Sequence, residues 1–481
     1  MRQAVVVIHG IGEQIPMETL RSFVDAVWTT DASLVDSGKP DPNNGGTRTA
    51  NASWSKPDRR TRSFELRVVT TESGKNRKRT DFFEYYWAHR ILDTTWQQLR
   101  AWFLELMLRN PVRDVPRGVL PVWILMWLVA AAALVVFLLT LLPDEVFPLS
   151  WSVAAAVAVV AALVTGAAGF LARYIGDVVR YVKAKPANVA RRQEIRENGV
   201  QLLETLMGVQ PDGTIGPTSY DRIVVVGHSL GTIIAYDILT HAFARINALH
   251  DQSAANPCPQ QARVALEQML REAAGLPVAP APTPQPWSLD RFRAAQAEAR
   301  AELNASGNPW IVSDFVTLGS PLTHAEFLMV RDRAHLSAAK TQRILPTCPP
   351  TLEYDRGTGL HHFTYRAPDL LTLGSADDPA APRCPHHAAL FAYTRWTNIY
   401  SPHRWIALGD LISGPLADAM GLEANGRSLS GITDIAVMPG AVERRRRFFT
   451  HTRYWKSRGP LPDPAPEHVR VLREALRLGD E

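Results

Sequence analysis

The chain has 481 residues, of which 46% are hydrophobic, 21% charged and 8% aromatic. This composition excludes a disordered or collagen-like protein, and the length is sufficient for two or three domains. A net charge of +5 is too small to indicate a nucleic-acid-binding surface, so we expect no nucleic-acid partner. The three cysteines, Cys258, Cys348 and Cys384, are too widely spaced for a disulfide framework and favour a reducing compartment.

The N-terminal part of the chain predicts the beginning of an α/β domain. Residues 5–8 form a continuous β-branched run, which is typical of a strand buried on both faces of a parallel sheet. We expect a helix to follow, to about Thr30, and then a long surface loop rich in Asp, Pro, Asn and Gly over residues 31–60. Residues 64–70 and 82–87 predict a pair of strands joined as a hairpin.

Two consecutive stretches, residues 118–143 and 146–172, contain no charged side chain. At a rise of about 1.5 Å per residue, each could cross a hydrocarbon core of roughly 30 Å. We therefore predict a two-helix transmembrane hairpin, the alternative being two buried helices of a soluble core. Arg and Lys residues flank the hairpin on both sides, whereas the turn carries only Asp144 and Glu145. Positive flanks stay cytoplasmic, so both arms of the chain are expected on that side.

After the hairpin, residues 223–226 predict a second buried strand, and a helical run follows directly. The five residues between them match the pattern Gly-x-Ser-x-Gly. This pattern between a strand and a helix indicates a nucleophile elbow, a tight turn that lifts the serine hydroxyl out of the sheet. The predicted elbow consists of Gly227, His228, Ser229, Leu230 and Gly231. Ser229 is the expected nucleophile.

An acyl-transfer site also needs donors for an oxyanion. Carboxyl ends of parallel strands meet at one edge of a sheet, so the loop after residues 5–8 is expected to face the elbow. The backbone N–H groups of Ile11 and Leu230 are the predicted oxyanion donors, and Gly10 leaves room for close approach. We expect His9 to brace this loop, although proton transfer is the alternative role.

These motifs resemble those of the serine-dependent α/β-hydrolase superfamily, especially its lipase and GPI-inositol-deacylase-like esterase branch. Residues 314–322 resemble the strand and Gly-Ser-Pro turn of such enzymes. The resemblance implies a mostly parallel sheet flanked by helices, an α/β-hydrolase-type fold that is here interrupted by the membrane hairpin. It does not cover the hairpin, the insertion at residues 251–309 or the acyl-binding surface.

The resemblance also implies an acid and a base that follow the serine in this order. Asp410 lies in a Gly-Asp segment that resembles the acid loop of this branch, and Asp434 competes with it. His451 lies in a His-x-x-Tyr-Trp pattern that resembles the base loop, and it is preferred over His403, which precedes Asp410. Either aspartate could instead cap a loop.

Some remaining features are less specific. A group of possible metal ligands lacks the spacing of a metal site, so we expect neither metal nor cofactor. That group is His361, His362, Cys384, His386 and His387. Four consecutive arginines at 444–447 suggest a patch facing solvent or lipid headgroups. The predicted helices of the insertion either form a lid or make a surface excursion.

Together these observations predict three regions. Residues 1–91 and 191–481 form the two parts of one hydrolase domain, and residues 92–190 contain a membrane-leading helix and the hairpin. The predicted function is that of a membrane-anchored serine esterase or lipase, with the bilayer as a partner and an acyl ester, expected to be lipid-derived, as the substrate. The alternative is a catalytically silent membrane scaffold that uses a hydrolase fold to bind partners.

Overall fold

A computed structural model gives the structure of the chain in several ranges, and the rest of the chain is not described. The described residues are 2–10, 15–36, 38–42, 44–61, 63–72, 79–90, 107–112, 114–116, 119–140, 158–159, 162, 181–182, 186–251, 260–278, 286–366, 383–403, 408–439, 450–456 and 464–479. Almost all of the second predicted membrane span, at residues 146–172, lies outside these ranges, as does most of the predicted helix that leads toward the membrane.

An eight-stranded, mostly parallel sheet forms the centre of the molecule. Its strands lie in the order β14-β11-β6-β5-β1-β4-β3-β2. They are β1 (Arg2–Ile8), β2 (Ser53–Pro57), β3 (Arg67–Thr71), β4 (Arg79–Tyr85), β5 (Arg222–His228), β6 (Val312–Leu318), β11 (Arg395–Tyr400) and β14 (Ile432–Ala436). The short strands β7 (Glu353–Asp355), β8 (Leu360–His362), β9 (Thr364–Tyr365), β10 (Cys384–Pro385), β12 (Leu422–Ala424) and β13 (Arg427–Leu429) form two-stranded ribbons.

Six neighbouring strands from β14 to β4 are parallel, whereas β3 and β2 at one edge run antiparallel to their neighbours. The predicted hairpin of β3 and β4 is confirmed. β1 pairs with β5, so strands from before and after the predicted membrane segment belong to one sheet. In the register of this pair, Ile8 lies opposite Gly227, and the two loops that follow therefore leave the sheet at the same edge.

The helices cover both faces of the sheet, which confirms the α/β class. They are α1 (Glu18–Val24), α2 (Leu120–Thr140), α3 (Pro186–Leu206), α4 (Leu230–Asp251), α5 (Gln261–Ala274), α6 (Leu289–Ala305), α7 (Ala325–Leu328), α8 (Arg333–Thr341), α9 (Ala417–Met420) and α10 (Glu467–Leu476). None of the helices in the described part of the chain combines the length and the apolar character that a membrane crossing needs.

Alternation along β1 explains the two hydrophobic cores. Val6 and Ile8 face a core shared with α3 and α4, whereas Val5 and Val7 face a second core shared with α1 and α10. Side chains of successive strand residues point to opposite faces, so an uninterrupted apolar run is what a sheet covered on both faces requires.

The helices of the predicted insertion belong to the first of these cores. Phe292 and Ala299 of α6 are buried, and the Gln296 amide donates a 2.6 Å hydrogen bond to the carbonyl of Phe391. Arg293 donates to the carbonyl of Trp396 in β11. Neither a lid nor a surface excursion describes α6, because this helix covers part of the sheet.

Candidate active site

The elbow residue Ser229 has a left-handed backbone conformation. β5 ends at His228 and α4 begins at Leu230, and Ser229 between them has φ 53°. Its N–H donates a 3.0 Å hydrogen bond to the carbonyl of Leu318 in β6, which ties the turn to the neighbouring strand. Such a conformation costs a non-glycine residue about 1–2 kcal/mol. The strained turn directs the serine side chain above the carboxyl edge of the sheet.

Two glycines allow this turn to form. A Cβ on Gly227 would lie 2.7 Å from the Cα of Thr232, within the turn itself. A Cβ on Gly231 would lie 2.3 Å from the carbonyl oxygen of Ile8. Both distances are shorter than real Cβ contacts, so glycine at these positions is needed for the first turn of α4 to pack against the end of β1.

The structure brings Ser229, His451 and Asp410 together in one hydrogen-bonded chain. Ser229 Oγ lies 2.8 Å from His451 Nε2, and His451 Nδ1 lies 2.9 Å from Asp410 Oδ2. All three residues are buried. An ionised carboxylate can only accept, so Nδ1 carries the proton shared with Asp410 and Nε2 is free to accept the proton of Ser229. This is the arrangement of a nucleophile, a general base and an orienting acid.

The surroundings of Asp410 keep its carboxylate charged. Burial by itself would raise the pKa of Asp410, but the neighbouring His451 and hydrogen bonds from His451, Tyr454 and Ser413 outweigh burial and lower this pKa to about 2. The other carboxylate oxygen, Oδ1, accepts the N–H of Ile412 at 3.0 Å. The negative charge is therefore present throughout the neutral pH range and can stabilise a protonated imidazole.

Sheet order explains why residues so distant in sequence meet. Ser229 follows β5, Asp410 follows β11 and His451 follows β14, and all three of these strands run parallel on the same side of β1. Their carboxyl ends thus share one edge. Adjacent strands are about 4.8 Å apart, so His451 has to reach across about 14 Å of sheet from β14 to stand beside Ser229.

Hydrogen bonds hold the base loop, residues 450–456, beside Ser229 and Asp410. The His228 ring donates a 2.8 Å hydrogen bond from Nε2 to the carbonyl of His451. Burial lowers the pKa of His228 to about 3, so its ring is neutral and keeps a single N–H for this bond. The N–H of Thr450 donates to the carbonyl of Gly409 at 3.1 Å. The base is thereby attached to both the elbow and the acid loop, residues 408–416.

The two competing candidates occupy other positions. Asp434 in β14 accepts hydrogen bonds from the N–H groups of Leu416 and Ala417 at 2.9 Å and from the Asn398 amide at 2.7 Å. It therefore caps the short helix α9 and anchors the end of the acid loop, which is the alternative role considered for it. His451 rather than His403 contacts Ser229.

Of the two predicted oxyanion donors, the structure describes one. Leu230 is the first residue of α4, where backbone N–H groups have no partner within the helix. Ile11 lies outside the described residues. The preceding loop residue is nonetheless close to the elbow, since a Cβ on Gly10 would lie 2.8 Å from the Cβ of Ser229.

His9 has the geometry of a brace. Its buried ring stacks on Trp87, with centroids 5.0 Å apart. Nδ1 donates to the carbonyl of Gly10 at 2.9 Å, and Nε2 accepts the N–H of Trp87 at 3.3 Å. Burial lowers the pKa of His9 to about 4, and a neutral ring with one donor and one acceptor satisfies both bonds.

Three of the four histidines considered as metal ligands have other partners. His362 Nδ1 pairs with Glu267 at 2.7 Å, His386 bonds the carbonyl of Thr351 at 2.9 Å, and His387 bonds the carbonyl of Arg343 at 3.2 Å. Within the described ranges, no group of three or more His, Cys, Asp or Glu side chains could hold a metal ion. The arginines at 444–447 lie outside those ranges.

Comparison of the chain with protein-family models, with curated proteins and with solved structures gave no match. The geometry of the site and the motifs in the sequence therefore carry the functional argument.

One residue required by the site has a role that sequence reasoning did not assign. Gly319, in the Gly-Ser-Pro turn after β6, has φ +60°. A Cβ there would lie 2.7 Å from Tyr454 Cε2, 3.1 Å from Asp410 Oδ2 and 3.2 Å from His451 Nδ1. The turn thus leaves the space that the acid and the base occupy. The turn itself is visible in the sequence, but the reason for its glycine is a contact with two distant loops.

Proposed function

We propose that the chain is a serine hydrolase of the α/β-hydrolase type that cleaves carboxylic esters through an acyl-serine intermediate. The observation that carries this proposal is the hydrogen-bonded chain from Ser229 Oγ through His451 to Asp410, at 2.8 and 2.9 Å, on a strained turn between a buried strand and a helix. A structural serine needs neither this strain nor a base aligned by a buried carboxylate.

In the proposed reaction, Ser229 Oγ attacks the acyl carbon while His451 Nε2 accepts the hydroxyl proton. Asp410 holds the imidazole in the tautomer that leaves Nε2 free, and it stabilises the imidazolium that forms. In this proposal the N–H of Leu230 donates to the developing oxyanion, with the N–H of Ile11 as its expected partner. The imidazolium then protonates the leaving alcohol, and a water molecule deprotonated by His451 releases the acid and restores Ser229.

We also propose that the enzyme is anchored to a membrane and that its substrate is a lipid acyl ester. Along α2, several large apolar side chains are exposed, among them Leu128, Leu134 and Phe137, each more than half exposed. The segment before α2 is attached to the part of the chain that follows the Gly-Ser-Pro turn, because Arg109 donates a 2.9 Å hydrogen bond to the carbonyl of Phe327 in α7. This attachment favours a substrate taken from a lipid phase.

A fluorophosphonate probe tests the proposed chemistry, since it labels activated serine nucleophiles. We expect wild-type protein to be labelled and Ser229→Ala to remain unlabelled with unchanged thermal unfolding. Ser337→Ala is the matched control: this surface serine bonds Glu423, and its loss should leave labelling intact. Folded wild-type protein that is not labelled would overturn the proposal and favour the non-catalytic scaffold.

The substrate and location are tested separately. Hydrolysis of the same acyl ester presented in phosphatidylcholine vesicles and as a soluble short-chain analogue should favour the vesicle form, and the protein should co-sediment with the vesicles. Equal hydrolysis of both forms without co-sedimentation would contradict the lipid proposal and leave the serine chemistry in place.

A further inference from the structure

The phenol of Tyr454 makes a contact that the three-residue mechanism does not use. Its oxygen lies 2.7 Å from Asp410 Oδ2, the same carboxylate oxygen that pairs with His451 Nδ1 at 2.9 Å. Two donors thus share one oxygen of the proposed acid. Hydrogen bonds to a charged acceptor are about twice as strong as neutral ones. The hydrogen bond from Tyr454 therefore weakens the attraction between the Asp410 carboxylate and the His451 imidazole.

The direction of the hydrogen bond between Tyr454 and Asp410 is fixed by the charge of the carboxylate. The backbone N–H of Ser401 donates to the phenol oxygen at 3.0 Å, and the Ser413 hydroxyl lies 2.9 Å from it. Because the ionised carboxylate of Asp410 can only accept, the single phenol proton is directed at it, and the phenol oxygen accepts the N–H of Ser401. Burial raises the pKa of Tyr454 well above its ordinary value, so the phenol keeps its proton.

The ring of Tyr454 is held in place on several sides. It is 1% exposed, it packs against the turn at Gly319, and its centroid lies 6.0 Å from that of His228. Tyr454 is also only three residues from His451 in the base loop. The side chain therefore connects the base loop, the acid loop and the end of β11 through a single oxygen.

We infer that Tyr454 is a positioning residue that acts on the proposed base through Asp410, lowering the basicity of the carboxylate and fixing the distance between the acid and base loops. The inference rests on the proposed function. Without the phenol proton, the carboxylate attracts the Nδ1 proton of His451 more strongly, so the imidazolium becomes more stable and the ring holds its proton to higher pH.

Other titratable groups face this pair and must be considered. His228 contacts the base loop from the end of β5, and its charge state is coupled to His451, Asp410 and Lys456. His324, after the Gly-Ser-Pro turn, bonds the carbonyl of Leu411 at 3.1 Å and is coupled to Asp410 and His403. Burial lowers the pKa of His228 to about 3, so its ring is neutral at neutral pH, and burial also lowers the pKa of His324.

Tyr454→Phe tests the inference because it removes the phenol oxygen and keeps the ring. In ¹⁵N-histidine spectra of the full chain, with the His451 signals assigned by their loss in His451→Ala, the midpoint of the His451 titration should lie at higher pH than in the wild type. The rate of fluorophosphonate labelling at pH 7 should fall about tenfold. In the pH profile of the labelling rate, the acid limb should also move to higher pH.

Tyr236→Phe is the matched control. Tyr236 in α4 is equally buried, and its hydroxyl donates a single 2.7 Å hydrogen bond to the carbonyl of Pro346. This variant should lose stability to a similar extent and keep the His451 titration unchanged. A Tyr454→Phe protein with an unmoved titration midpoint would overturn the inference, whether or not its stability falls. The spectra do not require activity, so an unlabelled wild-type protein would refute the proposed function without deciding the role of Tyr454.

Discussion

Replacing Gly319 by alanine should disable the site through one methyl group. The added Cβ would stand 2.7 Å from Tyr454 Cε2, 3.1 Å from Asp410 Oδ2 and 3.2 Å from His451 Nδ1. None of these neighbours can move without changing the hydrogen bonds between the acid, the base and the phenol. The backbone adds its own strain, because φ +60° is unfavourable for alanine.

The size of the effect follows from two contributions. A left-handed conformation costs an alanine about 1–2 kcal/mol, and overpacking in a buried site typically costs about 1–3 kcal/mol more. We therefore expect Gly319→Ala to lower the free energy of unfolding by about 2–5 kcal/mol. A displacement of the base by about 1 Å can reduce catalysis roughly a hundredfold, so the labelling rate should fall by a factor of this order.

Gly359→Ala separates the two contributions. Gly359 has φ +68°, nearly the same backbone strain, but nothing lies within 4 Å of the position that its Cβ would take. This variant should lose only about 1–2 kcal/mol and label at the wild-type rate. Thermal unfolding and the rate of fluorophosphonate labelling are measured on both variants. Equal labelling of the two would refute the claim that the Gly-Ser-Pro turn leaves space for the acid and base.

Three further predictions concern the surroundings of the site. Burial raises the pKa of Glu84 from 4.5 to about 7, so the folded state binds the Glu84 proton more tightly than the unfolded chain does. The free energy of unfolding should therefore fall by ~3 kcal/mol as the pH rises between these two values. The glutamine of Glu84→Gln can still accept the N–H of Met17 but does not titrate, so the variant should not lose stability as the pH rises. Chemical denaturation of both proteins between pH 5 and 8 measures this. A stability difference between variant and wild type that stays constant over this range would contradict the prediction. Asp434→Ala should cost about 1–2 kcal/mol as a lost cap and keep fluorophosphonate labelling, whereas Asp410→Asn should reduce labelling about 10⁴-fold. Loss of labelling in Asp434→Ala would indicate that Asp434 rather than Asp410 is the acid of the site. His228→Phe removes the donor to the base loop and should slow fluorophosphonate labelling about tenfold. Backbone amide hydrogen exchange in residues 450–456 should become faster. Unchanged exchange in these residues would show that the His228 hydrogen bond does not hold the loop.

The sheet could be predicted from the sequence where a strand is buried on both faces. β1 and β5 contain continuous runs of β-branched residues, and burial on both faces of a parallel sheet requires such a run. The elbow could be predicted too, because Gly227 and Gly231 are needed wherever a serine turns so sharply between a strand and a helix. Both features depend on residue types that are adjacent in the sequence, so a short stretch of sequence is enough to predict them.

Other elements depend on contacts that no local pattern records. The charged and alanine-rich sequence of α6 resembles a surface helix, yet Phe292 and Ala299 are buried against the sheet and its arginines bond backbone carbonyls of the neighbouring segments. Tyr454 is similar: a Tyr three residues after a histidine says nothing about the carboxylate that its phenol meets. In both cases the deciding partner is supplied by a distant part of the chain.

The position of His451, the proposed base, shows most clearly why the third member of such a site is the hardest to predict. Ser229 stands directly at the end of its strand, so β5 fixes it, whereas His451 is delivered from β14 at the edge of the parallel strands, across β11 and β6. No strand can hold a side chain at that distance from its own end. Its placement must come from tethers along the base loop, and those described include the bonds from His228, to Gly409 and through Tyr454 to Asp410. Thr450 Oγ1 also donates to Ser401 Oγ at 2.9 Å, and Trp455 Nε1 donates to Ser22 Oγ at 3.1 Å. The alignment of the proposed base therefore depends on these hydrogen bonds more than on the sheet, and variants that remove them should affect fluorophosphonate labelling before they affect the fold.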